Sequence, residues 1–106
     1  MKKIALIVGA VLTLVSCTTD IQTIREERPD YLEKKVSIEG VVTMTLPIVN
    51  IYEIKDKTGQ IYVQSTQELP NKDQKYTIEG IVREKKIEAA GISFMNELYV
   101  EELKRK

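Results

Sequence analysis

The sequence predicts a mainly β domain, a closed five-stranded barrel with a short N-terminal helix, following a cleaved signal peptide. Three observations predict it. From Val36 onward, apolar residues recur with a period of two, the spacing of a strand with one buried face. Pro47, Asp56-Lys57-Thr58-Gly59 and Pro70-Asn71 punctuate these runs with the residue types that turn a chain between strands. One strand-like segment also occurs twice at an offset of forty, as Val36-Ser37-Ile38-Glu39-Gly40-Val41-Val42 and as Tyr76-Thr77-Ile78-Glu79-Gly80-Ile81-Val82. Nothing between the copies repeats, which excludes a solenoid. Each copy carries glycine at an inward position, where a closed barrel needs tight coiling or close approach of two backbones.

The elements follow in order. Met1-Lys2-Lys3 is a basic head and Ile4 to Val15 an uncharged apolar run, too short for the ~20 residues of a membrane-spanning helix but suited to a signal peptide over 1–16. Residues 17–22 read as a tether and 23–106 as the barrel domain. Thr23 with Glu26 three positions on forms a capping-box pattern for a brief helix over Ile24 to Arg28, interrupted by Pro29-Asp30. Tyr31-Leu32 then folds back over one end of the core. In the first strand Val36, Ile38, Val42, Met44 and Leu46 share the inward parity, with Gly40 among them. The second runs from Ile48 to Lys55 with Tyr52 and Ile54 inward. Asp56 to Gly59 makes a hairpin, its glycine supplying a left-handed backbone. The third spans Gln60 to Gln64 with Ile61 and Val63 inward, and Ser65 to Gln74 is a loop. The fourth spans Lys75 to about Glu84 with Tyr76, Ile78 and Val82 inward. The fifth spans Glu97 to Leu103 with Leu98 and Val100 on one face. The pattern leaves Glu88 to Asn96 open between loop, strand extension and helix, with Gly91, Ile92, Phe94 and Met95 placed as filling for the barrel's open end.

Composition excludes several functions. The chain has 106 residues, and removal of 16 leaves 90, enough for one domain that buries ~60–65% of its unfolded surface. Cys17 is the only cysteine, so no intramolecular disulfide forms. Loss of Lys2 and Lys3 turns a balance of 16 basic and 16 acidic residues into 14 against 16, a net of −2 and not the basic excess of a polyanion binder. With no histidine, Ser37, Ser65 and Ser93 lack the usual activating base, and no phosphate-binding glycine loop or metal-ligand spacing occurs. Glu26-Glu27 and Glu101-Glu102 read as surface charge. The expectation is a protein that is not an enzyme and takes no cofactor and no metal.

Leu14-Val15-Ser16-Cys17 resembles the lipobox of bacterial lipoproteins. The resemblance implies cleavage before Cys17, lipid on its sulfur and a palmitate-class acyl group on the new amino end. At ~0.8 kcal/mol per buried CH₂, one chain holds reversibly and two or more hold firmly. Thr18 stands where an aspartate would resemble an inner-membrane retention signal. That points to the outer membrane, facing the periplasm, if the host has two membranes.

Val36-x-Ile38-x-Gly40-x-Val42, Tyr52-x-Ile54-x-Asp56-x-Thr58-Gly59-x-Ile61-x-Val63, Pro70, and Tyr76-x-Ile78-x-Gly80-x-Val82 together resemble the OB-fold, a five-stranded Greek-key barrel. They are similar in particular to the small anticodon-binding-like, nucleic acid-binding domains of bacterial exported proteins and lipoproteins. Such domains often carry a glycine on the approach to the fourth strand, where this chain has Asn71-Lys72-Asp73-Gln74. The resemblance implies a ligand face on the second and third strands. By parity that face holds Val49, Ile51, Glu53, Lys55, Tyr62 and Gln64. One aromatic, one lysine and one glutamate are few for stacking a nucleic acid in a positive groove. The apolar trio Val49, Ile51 and Tyr62 fits an envelope protein or glycan better. The expectation is a membrane-anchored binding module, with an oligonucleotide binder and an accessory lipoprotein without a barrel ligand as alternatives.

Overall fold

In a computed structural model, which describes residues 17–89 and 92–106, five strands close a barrel. Two short helices, α1 (Ile21–Glu26) and α2 (Arg28–Tyr31), precede β1 (Lys35–Leu46), β2 (Ile51–Lys55), β3 (Gln60–Gln64), β4 (Lys75–Ala89) and β5 (Ile92–Arg105). The strand order around the barrel is β1-β2-β3-β5-β4, with β3 and β5 parallel and every other pair antiparallel. The mainly β, five-stranded architecture expected from the period-two pattern is therefore present. Val36, Ile38, Val42, Tyr52, Ile54, Ile61, Val63, Ile78, Val82, Leu98 and Val100 fill the interior as alternation requires, with Tyr76 packed partly buried against them. Tyr31 and Leu32 pack against this core too.

Gly40 and Gly80 face inward at points where two backbones nearly touch. A Cβ on Gly40 would lie 2.5 Å from the Lys55 carbonyl oxygen, and one on Gly80 would lie 2.5 Å from Val100 Cγ1 and against the Glu101 carbonyl. The duplicated segment is thus one solution applied twice: each copy brings a strand against its neighbour where the barrel closes.

Several boundaries differ from the sequence reading, each for a local reason. Thr43 is the extra residue of a β-bulge, because Val42 pairs with Ile54 while Met44 pairs with Glu53. The bulge reverses the alternation, so Met44 and Leu46 leave the core side and Leu46 is exposed. Residues 47–50 form a turn, and β2 starts at Ile51 rather than Ile48. β4 and β5 run past the barrel as a two-stranded ribbon, with Ile87 opposite Met95 and Ala89 opposite Ile92. Glu88 to Asn96 is strand extension where the backbone is described, and Gly91 lies outside the described residues. On the approach to β4, Asp73 adopts the left-handed backbone at φ 70° in place of a glycine, and its amide donates to the Val42 carbonyl at 2.7 Å.

The helix also differs. It begins at Ile21, and Thr23 lies inside it. Ile21 and Ile24, one turn apart, are both fully buried and plug one end of the barrel. No local side chain caps it. Instead Ile21 N–H donates to Asp56 Oδ2 and Gln22 N–H to Thr58 Oγ1, both at 3.0 Å, so the β2–β3 turn caps the helix from 35 and 36 residues away. Asp56 Oδ1 also accepts from Thr58 N–H at 2.7 Å, Thr58 Oγ1–H at 2.6 Å and Gly59 N–H at 3.0 Å. This carboxylate shapes the turn, and Gly59 does not use the left-handed backbone expected of it.

Partial burial pushes the Asp56 carboxyl up, but the hydrogen bonds from the Thr58 side chain and from Ile21, Thr58 and Gly59 amides outweigh it and hold the group below the usual carboxylate range. A depressed folded value stabilises above the unfolded value of ~3.9, and the contribution is lost as pH falls through the folded value. Asp56→Ala is expected to cost about 2 kcal/mol at neutral pH. In urea melts repeated from pH 6 downward, the gap between wild type and variant should shrink below about pH 4; a gap that stays constant with pH would exclude the charged cap.

Candidate functional site

The structure distributes the six residues of the expected ligand face along the outer side of β2 and β3. Ile51 pairs with Gln64, and Glu53 with Tyr62. Val49 is exposed in the turn after β1, and Lys55 is exposed at the far end of β2. Gln64 is engaged locally, its Nε2 donating to the Val49 and Asn50 carbonyls, each at 3.1 Å, so it fixes the turn. Glu53 accepts the Thr43 hydroxyl at 2.6 Å and thereby supports the β1 bulge. The six therefore do not converge on one ligand position.

Glu53 and Tyr62 do meet other side chains in a groove of about 540 Å³ between α1, β3 and β5. Arg25, Glu26 and Glu97 complete its charged lining. Arg25 donates to the Gln60 carbonyl at 3.4 Å and pairs with Glu97 at 3.6 Å, which holds the guanidinium over the start of β3. Tyr62 is half-buried and presents a flat apolar ring beside fixed hydrogen-bonding groups. The parallel pairing of β3 with β5 places Tyr99 next to Tyr62, and the Lys85 ammonium sits 5.5 Å from the Tyr99 ring centre. The sequence reading missed Arg25, Glu97 and Tyr99. Parity marks Tyr99 as outward, opposite to Leu98 and Val100, but only strand order brings it beside Tyr62.

At the other end of the barrel lies a buried polar cluster that was also missed. Glu102 is 1% exposed and accepts hydrogen bonds from Tyr52 Oη at 2.6 Å, Gln67 Nε2 at 2.7 Å and Arg105 Nη1 at 3.1 Å. Arg105 also donates to the Glu68 carbonyl and lies 5.7 and 5.8 Å from the Tyr52 and Tyr76 rings. Burial, reinforced by the Glu102 hydrogen bond and charge against the weaker pull of Arg105, drives the Tyr52 hydroxyl far above the usual phenol value and keeps it a donor. Glu102 is thus not surface charge. It has the same parity as Leu98 and Val100, a signal readable in the sequence. The cluster ties β5 to the 65–70 loop through Gln67 and the Glu68 carbonyl.

Cys17 is exposed at the start of the described segment, two residues before Thr19, whose amide donates to the Ser37 carbonyl at 2.7 Å. Leu14, Val15 and Ser16 lie outside the described residues. Among the described residues no group of three or more histidine, cysteine, aspartate or glutamate side chains could hold a metal ion, and no helix is long and apolar enough to cross a membrane. No family model matches the chain, and no curated protein matches it significantly.

Proposed function

We propose that the protein is a membrane-anchored, non-catalytic lipoprotein of the bacterial envelope whose barrel binds a protein or glycan partner in the groove between α1, β3 and β5. The observation that carries the binding reading is Tyr62, an aromatic surface lining one groove with Arg25, Glu53 and Glu97. A flat apolar ring bordered by fixed donors and acceptors suits a sugar ring or a peptide segment. Three carboxylates, Glu26, Glu53 and Glu97, against one guanidinium suit a phosphate backbone poorly, since such binding is driven by cations. The anchoring reading draws on the lipobox resemblance and on an exposed Cys17 that a modifying enzyme can reach.

Capture from native membranes tests both parts. Cys17→Ala is expected to lose acylation and leave the membrane fraction. Tyr62→Ala should remain acylated and folded but lose about 2 kcal/mol of partner affinity, roughly thirtyfold. Unchanged partner recovery with Tyr62→Ala would overturn the groove, and an unmodified Cys17 in the wild-type protein would overturn the anchor.

A further inference from the structure

We infer that the outer face of β1, from Ser37 to the 47–50 turn, is the surface on which the protein rests against a phospholipid bilayer, leaving the Tyr62–Tyr99 side turned away from the membrane. The inference rests on the proposed acylation of Cys17. The tether is short. Cys17 precedes Thr19 by two residues, and the Thr19 amide is held on the Ser37 carbonyl of β1. Two residues reach at most ~7 Å. A lipid on Cys17 therefore enters the bilayer beside β1, with no slack to hold the barrel at a distance.

Exposed apolar side chains gather on the same strand and its turn. Leaving aside 86–96, whose side chains are not described, the exposed large hydrophobic side chains are Val41, Leu46, Ile48, Val49 and Leu103. All but Leu103 lie along β1 and the turn that ends it, and Ile48 is 98% exposed. Single exposed apolar residues are ordinary, whereas a run of them marks a contact surface. The Thr43 bulge adds Leu46 to this run by turning it, with Met44, away from the core side.

The flanks are compatible with a headgroup layer. Val41 pairs with Lys55 on one side and Lys75 on the other, so an exposed valine lies between two long amphipathic stems. Lys75 faces Glu39 at 3.9 Å, and the two line a second groove, beside the tether, together with Asp20 and Lys57. With both signs present, apolar contact rather than attraction to anionic lipid should drive docking. The strand order supplies the orientation. β1 is flanked by β2 and β4, which places the β3–β5 seam, with Tyr62 and Tyr99, on the opposite wall.

The chain contains no tryptophan, so a single introduced indole reports one position. The full chain, expressed with export and acylation, is reconstituted into phosphatidylcholine vesicles carrying brominated acyl chains, as Ile48→Trp and separately as Tyr99→Trp. The expected result is blue-shifted emission strongly quenched by bromine for Ile48→Trp, with emission unquenched by bromine for Tyr99→Trp and no effect of salt on either. Proteins that float with the vesicles but leave the Ile48→Trp indole unquenched, or quench both indoles alike, would overturn the orientation. A blue shift without quenching that grows with protein concentration would overturn it in favour of a second copy covering β1. Protein that carries no acyl group and does not float would overturn the lipoprotein reading itself, and this inference with it.

Discussion

Gly80→Ala is expected to destabilise the barrel by about 3 kcal/mol or more, out of about 5–15 kcal/mol for a domain of this size. The new methyl group would lie 2.5 Å from Val100 Cγ1 and press on the Glu101 carbonyl, which belongs to the β5 backbone. A side chain can rotate away, but a strand paired on both sides cannot move without breaking its ladder. At about 4–8 °C per kcal/mol, the thermal midpoint should fall by about 12 °C or more. Gly59→Ala is the control. Its Cβ would have Ile21 Cγ2 as nearest neighbour at 3.7 Å, an ordinary contact, so the change should stay within about 0.5 kcal/mol. Equal effects of the two substitutions in urea melts would sink the close-approach explanation of the duplicated glycines.

Glu102→Ala carries the second large effect. It leaves the Arg105 guanidinium, the Tyr52 hydroxyl and the Gln67 amide without their shared acceptor, and the Tyr52 hydroxyl is fully buried. Removing one partner of a buried ion pair typically costs 3–5 kcal/mol. The lower end, about 3 kcal/mol, is expected because Arg105 keeps the Glu68 carbonyl and both tyrosine rings. Removing both charges should behave differently. Glu102→Leu combined with Arg105→Met fills the space without an orphaned charge and should regain part of the loss, the Tyr52 hydroxyl still lacking its acceptor. A double-mutant cycle read by urea denaturation measures this coupling. Strictly additive effects would show that the pair acts as two independent surface residues.

The two predictions concern positions of unequal legibility. Gly40 and Gly80 stand out because the segment around them is written twice, and inward parity assigns them to close contacts. Glu102 continues the parity of Leu98 and Val100 and is buried, yet a carboxylate beside Glu101 reads in sequence as surface charge. Its partner Arg105 could not have been found by counting. Leu103 is the extra residue of a bulge in β5, since Gly80 pairs with Glu102 but Glu79 pairs with Lys104, and this shift carries Arg105 to the inner side opposite Ile78. The same kind of slip at Thr43 moved Met44 and Leu46 outward. The ligand face met a related limit. Glu53 and Tyr62 were readable from strand parity, whereas Arg25 and Glu97 join them only because α1 and β5 pack beside β3.

The sequence by itself determined the barrel, its strand count, most of its core and the single cysteine at the head of the domain. Side-chain alternation and turn chemistry are local properties, expressed within a few residues of chain. Tertiary structure decided the bulges, the capping of α1 by Asp56 and Thr58 and the burial of the Glu102–Arg105 pair. It also decided which side chains share a groove. Each of these depends on which strands become neighbours when the sheet closes, and a one-residue slip in that pairing turns a side chain from core to solvent.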